Sequence, residues 1–144
     1  MIRAAMALLT GALLVMAPAR AADQVWAALA LATNEEPPGP VPKALENFQP
    51  ALARVFGYNT FYLLGQKRAA LETGDSGWLV PSPRIFMQVT GLGSSRSRLH
   101  LRLDLYEGKE LLATTEARLA RGAPLYIRGP EWGKGLLIIV LEIR

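Results

Sequence analysis

The stretch Gly129-Pro130-Glu131-Trp132-Gly133-Lys134 brings glycines and a lysine together, the makings of a loop that cradles phosphate oxygens. A phosphate loop needs four residues between its first glycine and the Gly-Lys pair, then Ser or Thr for magnesium, then a helix. Here three residues intervene, Lys134 is followed by Gly135, and an apolar run from Leu136 to Leu141 comes next. No helix N-terminus would be available to meet the anion. The spacing therefore predicts a glycine-rich connection between two strands, with Trp132 at its tip. There the indole is either an exposed contact residue or a lid folded back on the core.

A second group alternates: Arg96, Arg98, His100 and Arg102 are each two residues apart. On a strand such residues share a face at roughly 6–7 Å spacing, so four basic groups would line up along ~20 Å. That row suits an anionic lipid head group, an anionic glycan or an acidic partner strand. The same pattern also suits a solvated sheet face whose arginines pair with Asp104, Glu110 or Glu116. Charges on an exposed sheet discourage edge-to-edge aggregation, and surface pairs contribute only ~0–1 kcal/mol each.

Catalytic constellations fare worse. His100 is the one histidine and there is no cysteine, which removes two-histidine metal sites and thiolate ligands for zinc or iron–sulfur. A nucleophilic triad would have to use His100, whose arginine neighbours oppose the cationic ring that such a mechanism generates. None of Ser76, Ser82, Ser94, Ser95 and Ser97 sits in a G-x-S-x-G elbow. Glycoside hydrolysis needs two carboxyls flanking the scissile bond. Glu72, Asp75, Glu107 and Glu131 sit beside glycine turns, and Glu35 and Glu36 lie in a proline-rich loop, where solvation accounts for them. The reading is a binding or assembly module with no cofactor and no metal, and a hydrolase built on a carboxylate pair ranks last.

The elements that must position these residues begin with a leader. Arg3, the uncharged apolar run Ala4 to Ala17 and the Ala19-Arg20-Ala21 arrangement predict a signal peptide over residues 1–21, cleaved after Ala21. Its apolar core of about 14 residues falls short of the ~20 a spanning helix needs, which argues against a retained anchor. The chain carries 16 Lys+Arg against 12 Asp+Glu; Arg3 and Arg20 leave with the leader, so residues 22–144 carry +2. That balance, with no recognised module, argues against nucleic acid as partner. Residues 22–144 are expected to form one domain, without disulfides, soluble and without a transmembrane segment. Export predicts a periplasmic or secreted location and another envelope protein as partner.

Gln24–Ala32 is a continuous apolar run that suits a buried strand, and residues 34–41 form a proline-rich loop. Pro42–Phe56 predicts a helix with Leu45, Phe48, Leu52, Val55 and Phe56 on one face, ended by Gly57 and kinked or split at Pro50. Phe48, Phe56, Tyr58, Phe61 and Tyr62 are expected to form the core between helix and sheet. Short strands follow: Tyr58–Gly74, interrupted near Gly65, then Trp78–Pro81 and Arg84–Thr90. Gly74–Gly77 and Gly91–Arg96 read as turns. In the next strand Leu99, Leu101, Leu103 and Leu105 take one parity, and Arg98, His100, Arg102 and Asp104 the other. Gly108-Lys109 centres a hairpin, Leu111–Ala120 returns, and Arg121–Pro124 turns the chain into Leu125–Arg128. Leu136–Ile143 is apolar at both parities and is expected to be covered on both faces. The fold class is α+β: a strand–helix–strand opening, then a mostly antiparallel sheet of short strands with one helix packed on it.

The order VWAALALATNEE, ALENFQPALARVFGYNTFYLLG and ARGAPLYIRGPEWGKGLLIIVLEI resembles small exported domains of Gram-negative and related bacteria. The likeness rests on hydrophobic and glycine positions and implies no activity and no functional residue. The strand–helix–strand opening is also similar, as a fold-level analogy, to the small periplasmic modules of secretin-type pores.

Overall fold

The computed structural model describes residues 24–70, 76–79, 85–95 and 98–144. The leader at 1–21, Glu72, Asp75, Ser82 and Arg96 lie outside the described residues. The fold is α+β and largely antiparallel, but the strands form two sheets rather than one. The first has the order β2 (Thr60–Ala70), β1 (Gln24–Thr33), β8 (Gly135–Ile143), β7 (Leu125–Trp132). The second has the order β3 (Ser76–Leu79), β4 (Ile85–Ser95), β5 (Arg98–Glu107), β6 (Glu110–Ala120). Helix α1 (Gln49–Phe56) lies on the outer side of the first sheet.

The two central strands of the first sheet explain the layering. On β8, Leu136, Ile138 and Val140 pack toward the helix, whereas Leu137, Ile139 and Leu141 pack toward the second sheet. On β1, Trp26, Ala28, Ala30 and Ala32 face the helix, and Val25, Ala27 and Leu29 face the second sheet. Both strands were apolar at both parities in sequence, and both are covered twice. Three alanines on one side of β1 leave room for the helix to approach, and Leu45, Leu52 and Phe61 fill the space. Burying each such side chain contributes roughly 1.5–3 kcal/mol. Close approach also fixes Gly135: a Cβ there would lie 2.5 Å from the Ala32 carbonyl oxygen.

The predicted helix divides at its proline. A 3-10 turn at Lys43–Leu45 precedes α1, and Pro50 sits in the first turn, where its missing N–H is no loss. Gly57 ends the helix in the left-handed region at φ 76°, its N–H donating to the Ala53 carbonyl at 2.9 Å. Two members of the predicted apolar set turn outward: Val55 is 59% exposed and Tyr62 is 41% exposed. A helix of eight residues covers the sheet with one narrow stripe, and Val55 lies off it. Tyr62 alternates with Phe61, so when one ring enters the core the other leaves it.

Three predicted turns or breaks belong to strands instead. Ser76 and Gly77 lie in β3. Gly91, Leu92, Gly93, Ser94 and Ser95 continue β4, with a register shift between Gly91 and Gly93. Gly129, Pro130, Glu131 and Trp132 continue β7, with a shift between Arg128 and Glu131, so the connection shrinks to Gly133-Lys134. In β4 and β7 glycine or proline marks an irregularity within the strand, not its end, whereas β3 pairs with β4 in regular register through Ser76 and Gly77. Near Gly65 the chain likewise bulges without breaking β2, since Leu29 pairs with Gly65 and Ala30 with Leu63.

Candidate functional site

The site is built on the outward parity of β5. Leu101, Leu103 and Leu105 are buried between the sheets, which forces Arg98, His100, Arg102 and Asp104 onto the opposite face. The Gly108-Lys109 hairpin sets the register of β6, placing Glu116 opposite Arg102, Arg118 opposite His100 and Thr114 opposite Asp104. Arg98, Arg102, Thr114, Glu116 and Arg118 are all exposed. No described element lies over this face.

Within it the charges divide into paired and unpaired groups. His100 Nε2 stands 3.1 Å from Glu116 Oε2, giving the ring an anionic neighbour among the cations. Arg102 Nε donates to Asp104 Oδ2 at 3.3 Å, and the Thr114 hydroxyl donates to Asp104 Oδ1 at 2.9 Å. Asp104 is only 6% exposed, and these two bonds satisfy a carboxylate that would otherwise be costly to bury. Arg98 and Arg118 form no ion pair among the described residues. Farther along the same face Phe86 and Tyr106 stack with ring centroids 5.4 Å apart.

Trp132 does not join this group. It lies at the end of β7 in the first sheet, half-buried and packed against the core between the sheets. Of the predicted row, Arg98, His100 and Arg102 share the face, and Arg96 lies outside the described residues. From the sequence alone Glu116 is only a pairing acid for the arginines, and Arg118 and Thr114 carry no assignment. The alternation of Thr114, Glu116 and Arg118 against Ala117 and Leu119 was the signal for them.

Two other places offer chemistry. A shallow groove of about 280 Å³ is lined by Pro40, Val41, Pro42, Phe61, Tyr62 and Leu63. The proline loop is tied down beside it: Asn59 exchanges hydrogen bonds with the backbone of Glu35, and Gly39 N–H donates to the Thr60 hydroxyl at 3.0 Å. Tyr62 OH donates to Glu35 Oε1, and that bond, more than desolvation or charge repulsion, raises the phenol above its ordinary value of 10.0. This wall has no carboxylate pair and only the Tyr62 hydroxyl among its side-chain polar groups. Glu107, expected beside the hairpin turn, faces Glu110, expected as a pairing acid for the arginines; both are exposed, and Glu131 is exposed on β7.

No protein family, no curated protein and no solved structure matches the chain. Among the described residues no three of His, Asp and Glu group to hold a metal ion, and no helix is long and apolar enough to cross a membrane.

Proposed function

We propose that the chain is an exported envelope protein that works as a protein-binding or assembly module, with the open face of the second sheet as its contact surface. The observation that carries this reading is the pair of exposed arginines, Arg98 and Arg118, which have no carboxylate partner among the described residues and lie on a sheet face that no described element covers. Unpaired cations on an exposed strand pair suit an acidic surface, because burying them against carboxylates replaces lost hydration with charge-assisted hydrogen bonds. The stacked Phe86–Tyr106 pair adds aromatic area to the same plane.

The test is recovery of a partner from envelope extracts with the chain and with Arg98→Glu/Arg118→Glu. The substituted residues are exposed, so the variant is expected to keep its fold and to lose the partner. Unchanged recovery would reduce the face to a solvated surface. The same two arginines also favour an anionic glycan or lipid head group. Vesicles containing anionic lipid separate the readings, since binding through charge alone falls steeply between low and high salt.

A further inference from the structure

We infer that two copies of the chain join through β6, pairing antiparallel about a two-fold axis at Ala117. This goes beyond the reading of the open face, because it concerns the sheet edge and needs no other partner.

The two sheets present four edge strands, β2, β7, β3 and β6. β3 spans four residues. β7 is interrupted by the irregularity that holds Pro130, which has no N–H to offer a further strand. β2 bulges at Leu64 and carries exposed Lys67 and Arg68. Short strands, prolines, bulges and basic residues are the usual means of blunting an edge. β6 differs: it has 11 residues, contains neither proline nor lysine, and pairs with β5 without a break from Ala113 to Ala120. No described strand lies beyond it.

Charge chooses the occupant. A two-fold axis perpendicular to the sheet brings the same face of both strands to the same side, so outward residues meet outward residues. With the axis at Ala117, Glu116 faces Arg118 of the second copy and Arg118 faces its Glu116. Two opposite-charge pairs then form, with Thr115 against Leu119 on the inner side; the open edge ends at Ala120, which bridges Ala123 in the following turn. Moving the axis by one residue sets Glu116 against Glu116 or Arg118 against Arg118, and like charges directly opposite are destabilising. Arg118, which has no ion pair among the described residues, thereby gains a carboxylate. The result is one continuous sheet of eight strands, four from each copy, and a doubled open face.

The test uses the cysteine-free chain, in which one introduced thiol is the only one. Sedimentation over a concentration series is expected to show a reversible dimer. Glu116→Arg should weaken it by roughly tenfold or more, and Glu116→Arg/Arg118→Glu should restore it, since the swap returns both opposite-charge pairs. Under mild oxidation Ala117→Cys should form a covalent dimer and Thr115→Cys should not, because only the axial residue meets its own copy. A monomer at every concentration overturns the inference. So does a dimer indifferent to Glu116→Arg, or one that cross-links through residue 115 and not 117.

Discussion

The two sheets share one core but treat their outer faces in opposite ways. The first sheet turns Trp26, Ala28, Ala30, Ile138 and Val140 outward and roofs them with α1, the 3-10 turn and Phe48. The second turns Arg98, His100, Arg102, Glu116 and Arg118 outward and leaves them unroofed. The contrast follows from strand composition. β1 and β8 are apolar at both parities and need two covers, whereas β5 alternates and needs one. Stability is therefore invested in the roofed side, and the open side is free to make contacts without weakening the fold.

The strongest way to break this comparison is to remove weight from the roof. Leu52 is fully buried, and Leu52→Ala is expected to cost about 2–5 kcal/mol in denaturant unfolding. Arg98→Ala on the open face should stay within ~0.5 kcal/mol. Comparable losses at both positions would erase the distinction. Next comes Gly135→Ala at the join of β8 with β1, expected to destabilise by roughly 1–3 kcal/mol because the added carbon meets Ala32 backbone. Asp104→Asn sharpens the comparison from the other side. It weakens the buried charge cluster around Asp104 on the open sheet, at a cost of about 1–3 kcal/mol.

The smallest effect concerns pH at the rim of the roofed sheet. Tyr62 has its phenol raised chiefly by donating to Glu35. A raised folded value means the native state holds its proton longer than the unfolded chain does. The contribution to stability is complete below the ordinary 10.0 and disappears as pH rises through the folded value. Phenolate absorbance of the native chain and of Tyr62→Phe should differ by one group that titrates late. If the missing group titrates at the ordinary value, the Glu35 bond is not formed in solution.

Much of this contrast was legible in the sequence, because side-chain parity reports whether a strand face is dry or wet. The leucines of β5 and the doubly apolar β8 could be placed on those grounds. What parity does not report is which element provides the cover, so two sheets looked like one. Gly91, Gly93, Gly129 and Pro130 read as turns because those residues punctuate chains locally. Long pairing with neighbours instead absorbs them as bulges. Trp132 read as a loop tip for the same reason, and the strand that carries it draws the indole onto the core. Arg118 was missed as a site residue because its importance comes from lying across from His100, a relation set by hairpin register.

Thiol labelling of single-cysteine variants in the absence of denaturant distinguishes a sealed outer face from an open one. Arg98→Cys and Thr114→Cys should react with a maleimide as fast as an unfolded thiol. Ala28→Cys and Ile138→Cys, at positions 0% exposed beneath the helix, should react only when the chain unfolds. Fast labelling at Ala28 or Ile138 in the native chain, or protection at Arg98 and Thr114, would contradict the account.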